Sequence, residues 1–506
     1  MNPVPEIDEP YLRLQYRNGA MVHEGASSCF RGLQKHVSPG RDCPFFAWRW
    51  DGNTLVIEND RYGFYPLFYY AGKNEFLISP SLLTLLRKGA PSDLDWPALA
   101  VFLRLGNYVG LDTPFRHIRL VPPNASVQRE GDYFRIVGGR PRIAPDLSLT
   151  REAAIDGYIQ LFRQAIAEMP AEGGAVVPLS GGRDSRHIFL ELCRQRVFPL
   201  SALSVLCEPF QLTEDVATAR KLATVTSTPH ATVYVPTKTV SLERQKNRLT
   251  HMATLEHRWI LPAVEQIAKQ PVTVYEGVGG DILSTATRIS PDRLRLLEQG
   301  DLSGLAKSYL SVGVGGYLPH ALTREAMQHC TQDIANQRVV EELRDHLDAA
   351  NPLGSFHFWN RTRRVTALAP CCIWNQGSSV WCPYLNGRVF DFLSSIPATL
   401  LIHSEYHRFH TDVILRAYPE FACVPFGSKG AKSYPARFFN WNGARQLAGY
   451  QLRRPAGTLL RSSFLAPRII RALIDPSYVS SISSLLPMSV YLRQLEDCVA
   501  GRFEHL

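Results

Sequence analysis

The segment Val176-Val177-Pro178-Leu179-Ser180-Gly181-Gly182-Arg183-Asp184-Ser185-Arg186-His187 constrains the chain most, because an apolar run passes through two adjacent glycines into a helical pattern. A buried strand running through a tight turn into a helix is also a natural anion cradle. Adjacent glycines let backbone N–H groups approach closely, Ser180 and Ser185 add hydroxyls, and the helix presents its positive end. Asp184 among so many donors makes sense if a magnesium ion bridges it to phosphate oxygens, since such ions are held by one or two carboxylates plus phosphates. No Gly-Lys-Ser/Thr follows the glycines, so the loop differs from a kinase-type P-loop, and AMP transfer is favoured over phosphoryl transfer. The plainer reading is a strand-to-helix turn capped by Ser180.

The chain downstream alternates helical and strand patterns, as a doubly wound parallel sheet requires. His187 to Arg194 continues the first helix. Leu200 to Leu206 reads as a strand, Thr213 to Ala223 as a helix, Ala231 to Val235 as a strand, and about Leu242 to Lys269 as one long helix. The next strand, Val272 to Tyr275, ends in Glu276-Gly277-Val278-Gly279-Gly280-Asp281, a second glycine-rich turn closing on a carboxylate. In open α/β sheets ligands sit beyond the carboxyl ends of the strands, so both glycine turns are expected at one site. A glycine turn ending in Asp is also a common helix cap.

The 506 residues, 45% of them hydrophobic, suit two or more domains around substantial cores. No run of about 18 apolar residues occurs and the first eleven residues are acidic and proline-bearing, so a cytoplasmic protein is expected. Ten cysteines without Cys-x-x-Cys spacing point to buried thiols rather than zinc or disulfides. The net charge of +9 is concentrated between Arg437 and Arg471, where arginines interleave with Leu, Phe and Pro. A solvated basic face near an anionic substrate explains that stretch as well as nucleic acid does.

The pattern Ser-Gly-Gly-x-Asp-Ser resembles the pyrophosphate-binding loop of the ATP pyrophosphatases, and Gly277 to Asp281 resembles the second magnesium and pyrophosphate element of the asparagine synthetases. The N-terminal residues Phe46-Ala47-Trp48-Arg49-Trp50-Asp51 and Asn59-Asp60-Arg61-Tyr62-Gly63-Phe64-Tyr65-Pro66-Leu67-Phe68-Tyr69 are similar to the core of the glutaminase domain in that family. Phe76 to Pro80, Asp95 to Gly106 and Thr113 to Asn124 resemble the rest of that domain. Read without the family, these are hydrophobic strands joined by Asp-Gly and Tyr-Gly turns, consistent with an antiparallel layered domain. Farther on, Arg361 to Val365 and Gly377-Ser378-Ser379-Val380-Trp381-Cys382-Pro383-Tyr384-Leu385-Asn386 resemble the family's Gly-x-Glu-x-Arg-x-Pro-Phe-Leu-Asp segment. Ser428-Lys429-Gly430-Ala431-Lys432-Ser433-Tyr434-Pro435 resembles its Lys-x-Gly-Phe-x-x-Pro loop.

The resemblance implies an α/β protein in two parts: an Ntn-hydrolase-like α+β layered domain over 1–150, then a doubly wound ATP pyrophosphatase (adenine nucleotide α-hydrolase-like) synthetase domain over 151–506 with a helical C-terminal part. It implies ATP bound by Leu179, Ser180, Gly181, Gly182, Asp184, Ser185, Gly277, Gly279 and Gly280, with adenine against Leu203 and Val205. Mg2+ would sit on Asp184 and Asp281. Lys429, with Lys432 as the alternate, would stabilise charge on the α-phosphate and the tetrahedral adduct; the plain alternative is a solvated surface lysine.

Departures from the family narrow the reading. A family glutaminase carries a cysteine directly after the initiator methionine, and here that position is Asn2, with Cys29 and Cys43 internal. Glutamine hydrolysis is therefore not expected, and the domain would persist as a scaffold; a different true start would explain the same absence. Ser379, Trp381 and Asn386 replace the family's glutamate, arginine and aspartate, and Val278 stands where β-lactam synthetases place a tyrosine. Glu276 is the nearest remaining carboxylate and a candidate base, with a loop acceptor or helix cap as the plainer role. The expected activity is ATP-dependent amide formation between a small-molecule or peptide carboxylate and ammonia or an amine. Asparagine formation is the conservative form, and amidation or cyclisation in a biosynthetic pathway is the alternative. A homodimer is compatible, and neither membrane nor nucleic acid is expected as a partner. A tRNA- or nucleobase-modifying enzyme of the same loop family and a silent scaffold are the competing classes.

Overall fold

The computed structural model describes residues 9–33, 43–130, 133–206, 214–235, 239–268, 271–285, 289–311, 314–402, 408–427, 441–453, 457–475, 478 and 485–505. The N-terminal part is antiparallel. Strands β1 (Leu12–Arg17), β2 (Ala20–Gly25), β3 (Ser28–Gly32), β4 (Phe45–Trp50), β5 (Leu55–Asn59), β6 (Phe68–Gly72), β7 (Glu75–Ser79), β8 (Ile118–Leu120), β9 (Ser126–Glu130) and β10 (Tyr133–Val137) build three sheets. Their orders are β2-β1-β7-β6-β8, β3-β4-β5 and β10-β9. Helices α1 (Leu82–Arg87) and α2 (Trp96–Leu105) are capped by Ser81 and Asp95, whose side chains accept from Thr84 and Ala98 N–H.

The turns follow the residues. Asp51-Gly52 joins β4 to β5, with the Asp51 carboxylate accepting from Asn53 and Thr54 N–H. β1 and β2 turn at Asn18-Gly19, both at positive φ (51° and 81°), the pairing a two-residue hairpin demands. Strands β1 to β3 precede every motif of the sequence and are found only in the structure.

The second part holds the expected parallel sheet. Strands β11 (Ala175–Pro178), β12 (Leu200–Leu206), β13 (His230–Tyr234), β14 (Thr273–Tyr275) and β15 (Ser379–Trp381) are ordered β13-β12-β11-β14-β15, every pair parallel. Helices α3 (Arg151–Ala167), α4 (Asp184–Arg194) and α5 (Glu214–Val225) alternate with these strands. The chain steps outward from β11 to β13 and then returns to the other side of β11 with β14. Strand order reverses there, and the turns after β11 and β14 flank the crevice that such a reversal opens.

One expected element is corrected. The single helix over Leu242 to Lys269 is two, α6 (Thr239–Leu249) and α7 (Leu261–Ile267), with a 3₁₀ turn at Arg258–Ile260 ahead of α7. His251, Met252 and His257 between them adopt φ of 51°, 58° and 77°, which no right-handed helix accommodates. The helix after the second glycine turn, α8 (Gly280–Ser284), is a single short turn.

Two hydrophobic clusters form the interior, and both cross residue 150. One joins the N-terminal strands to the parallel sheet through Phe46, Trp48 and Phe64 on one side and Val177, Ile188 and Val274 on the other. The other joins α1 and α2 to C-terminal helices such as Gln332–Arg344 and Leu485–Val499. Residue 150 is itself the N-cap threonine of α3. The nine described cysteines are all free thiols, five of them buried. Among the described residues no helix is long and apolar enough to cross a membrane.

Candidate active site

The first glycine turn is held at its root. Leu179 N–H donates to the Leu203 carbonyl at 2.7 Å, and Ser204 Oγ donates to the Leu179 carbonyl at 2.7 Å. The cap position of α4 is Arg183, which makes no side-chain capping bond, so the helix opens toward the crevice without a polar side chain closing it. Within the turn the N–H groups have internal acceptors: Ser180 N–H donates to Ser185 Oγ at 3.1 Å, Gly182 N–H to Ser180 Oγ at 3.2 Å, and Gly181 N–H to the Asp215 carboxylate at 3.0 Å. A phosphate seated on these amides would exchange with those oxygens. A Cβ at Gly182 would meet only Ser180 Oγ, so the turn is open on that side.

The two glycine turns meet at Asp184. A Cβ on Gly277 would lie 3.1 Å from Asp184 Cβ, and a Cβ on Gly280 only 2.8 Å from Asp184 Cγ and 2.7 Å from the Tyr384 ring. Tyr384 also donates its hydroxyl to the Asp184 carbonyl at 2.9 Å. Asp281 follows Gly280 directly, in the first turn of α8. Gly280→Ala is expected to displace Asp184 or Tyr384, costing about 1–3 kcal/mol in stability as overpacking does; thermal melting checks it, and a wild-type melting temperature would refute the contact.

The residues around Asp184 fit magnesium that arrives with a nucleotide. The Asp184 carboxylate beside the glycine turns and the Ser180 and Ser185 hydroxyls, with Asp281 next to Gly280 in the chain, would suit a hard ion whose other ligands are phosphate oxygens. No group of three or more His, Cys, Asp or Glu side chains able to hold a metal occurs among the described residues.

A strap from the C-terminal part lies on the first turn. Arg186 donates to the carbonyls of Val424 (2.9 Å) and Pro425 (2.5 Å), and the guanidinium groups of Arg183 and Arg186 lie 5.1 and 4.1 Å from the Phe426 ring centre. Gly427 N–H then donates to the Gly181 carbonyl at 2.8 Å. Lys429 and Lys432 lie outside the described residues. Sequence reading passed over the strap and its two arginines; their position inside the motif was the available signal.

Among the other predicted residues, Leu203 is buried within β12 and its carbonyl is used by Leu179, while Val205 lies on β12 beyond the last β11 pair, Pro178 with Leu203. Val278 is buried and donates its N–H to the Glu276 carboxylate at 2.7 Å, so Glu276 is a turn acceptor. Burial lifts the Glu276 carboxyl from 4.5 to about 7, against the lowering effect of that N–H. Ser379 opens β15, two residues short of the strand end where Trp381 pairs with Tyr275.

The N-terminal part buttresses the same place. Asp60, fully buried, accepts from the N–H groups of Phe45, Tyr62 and Phe64 and shapes the Asn59–Tyr69 turn. Tyr62 then donates to the Leu385 carbonyl at 2.8 Å, next to Tyr384, and Arg61 makes a two-pronged pair with Asp391. No family model matches the chain, and no curated protein matches it.

Proposed function

We propose that the chain is an ATP-dependent amide-forming ligase of the asparagine synthetase type, which adenylates a carboxylate and passes the acyl group to ammonia or an amine without hydrolysing glutamine itself. The observation that carries this reading is the convergence of the two glycine turns on Asp184 at the carboxyl edge of the parallel sheet. A nucleotide triphosphate across the α4 terminus would have its β- and γ-phosphates drawn by the helix dipole and the Ser180 and Ser185 hydroxyls. Magnesium on Asp184 and Asp281 would supply charge neutralisation at the phosphates. The substrate carboxylate attacks the α-phosphorus and pyrophosphate leaves; the amine then attacks the acyl carbon and AMP leaves. Holding both substrates against one rigid sheet edge supplies the proximity term. In this reading residues 1–150 are an Ntn-like scaffold and 151–506 the synthetase part of a cytoplasmic enzyme.

The residues at the base positions favour a biosynthetic amidation or cyclisation over asparagine formation. Ser379 and Val278 carry no basic group, and Glu276, near neutrality, is the carboxyl at the end of β14. As a base it must be ionised, so the rate should rise with pH to a plateau above about 7, and Glu276→Gln should lose that limb and about 10²- to 10⁴-fold in rate. Stability gives an independent check. The folded carboxyl holds its proton more tightly than the unfolded one, so the contribution of Glu276 is fully present below pH 4.5 and is lost as pH rises through about 7. Denaturation across that range should show the wild type losing about 3 kcal/mol relative to Glu276→Gln, at about 1.4 kcal/mol per pH unit; parallel curves would refute the assignment. The function itself is tested by ATP–pyrophosphate exchange with aspartate and a panel of carboxylates. Exchange that needs a carboxylate supports it, and no exchange with aspartate, peptide or sugar acids sinks it.

A further inference from the structure

We propose that His410 is the positioning residue that fixes the Asp184 carboxylate and ties the two glycine turns into one site, an inference that rests on the ligase reading above. His410 lies in the helix Arg408–Ala417, far in sequence from both turns, and is fully buried against α3 and α8. Its Nδ1 faces residues that follow both glycine turns, and its Nε2 faces α4 and α3. Nδ1 is 2.8 Å from Ser284 Oγ and 3.4 Å from Asp184 Oδ1, and Nε2 is 3.2 Å from His187 Nδ1 and 3.4 Å from the Tyr158 hydroxyl.

The order of protons follows from the partners. Ser284 donates its only hydroxyl proton to the Gly280 carbonyl at 2.5 Å, so its oxygen must accept from His410, and His410 carries its proton on Nδ1. That N–H goes to Ser284 Oγ, and Asp184 Oδ1 lies 3.4 Å from the same nitrogen, at ion-pair distance rather than in hydrogen-bond geometry. Nε2 is then an acceptor, and His187 Nδ1–H is the donor at 3.2 Å. A hydrogen-bonded chain runs from Gly280 in the second turn through Ser284 and His410 to His187 in α4, and the Asp184 carboxylate packs beside it, 3.4 Å from His410 Nδ1. A solvated carboxylate can rotate; this one packs beside a histidine whose tautomer is set by its other partners. Partners of this kind, behind a residue that meets a metal, set ligand orientation and metal affinity.

The test uses the full-length protein and calorimetric binding of a non-hydrolysable ATP analogue across a magnesium titration, with Asp184→Ala as control. His410→Asn keeps a donor at the Nδ1 position, His410→Gln places its amide at the Nε2 position, and His410→Leu removes both. Expected is a rise of about 10- to 100-fold in the magnesium needed for half-maximal binding in the Leu and Gln variants, with the Asn variant within about threefold of wild type. Affinity for the nucleotide without magnesium should be unchanged in all three, an effect that a merely structural role would not produce. Folded Asn and Gln variants with equal magnesium midpoints would overturn the proposal. So would loss of metal-dependent and metal-free binding together. Wild-type protein that binds no nucleotide at any magnesium concentration would overturn both this inference and the ligase reading, whereas wild-type binding with indifferent variants overturns the positioning role alone.

Discussion

Asp184→Ala is expected to reduce carboxylate-dependent ATP–pyrophosphate exchange by on the order of 10³-fold, the scale on which preorganised charge at a reacting phosphate acts. The substitution is gentle to the fold. Alanine keeps the Cβ that packs against Gly277 and leaves the backbone carbonyl that accepts from Tyr384. What it removes is an acidic side chain in the first turn of α4, whose favourable interaction with the helix dipole is about 0.3–1 kcal/mol. Melting should therefore change little while exchange collapses, and that split separates a working site from a structural turn. Asp184→Ala with wild-type exchange would remove the ligase reading, and unchanged cellular function in the variant would favour a scaffold.

The second large effect is on stability. Arg363→Met should cost about 3 kcal/mol or more, because it leaves buried carbonyls without donors. Arg363 and Arg364 lie in the π-helical segment Phe358–Thr366 and are almost completely buried. Arg363 donates to the carbonyls of Gly63 (3.2 Å) and Val121 (2.9 Å), and Arg364 to those of Gly110 (2.7 Å) and Asp112 (2.5 Å). All four carbonyls belong to the N-terminal part, so the two guanidinium groups clamp it to the part that carries the parallel sheet. Burial, with each other's charge adding for Arg363, pushes the pair down to about 9 and about 10, which still leaves both charged at neutral pH. Lysine should not rescue Arg363, since a single ammonium does not reproduce the planar fork. Chemical denaturation checks this; an Arg363→Met midpoint shifted by less than the equivalent of about 1 kcal/mol would show that the carbonyls find other donors.

The local elements were legible because their signals are local. Leu200 to Leu206 is a strand over those residues, the turn after Val176 to Pro178 leads into a helix, and the Asp51-Gly52 turn makes its Asx bonds. The long helix over Leu242 to Lys269 was misread because apolar spacing continues through residues 250–257, while the backbone leaves the helix at His251, Met252 and His257. Histidine is only modestly favoured at positive φ and methionine is not, so neither marks the break in a run of helical spacing. The strap at Val424 to Gly427 and the buried arginines were missed for a related reason. Their hydrogen bonds cross more than two hundred residues, and an arginine that binds carbonyls in a core reads, in sequence, like one on a surface.

The amino-acid sequence by itself determined the strand–turn–helix units, the glycines of the two turns and the carboxylates that end them, because backbone freedom and helix polarity belong to the residues in place. Only the tertiary structure decided that Gly277 and Gly280 press on Asp184, that Tyr384 bonds its carbonyl and His410 packs beside its carboxylate, and that Glu276 is raised toward neutrality. Those outcomes depend on which groups are brought together and how much water is excluded between them, and neither quantity exists until the chain has packed.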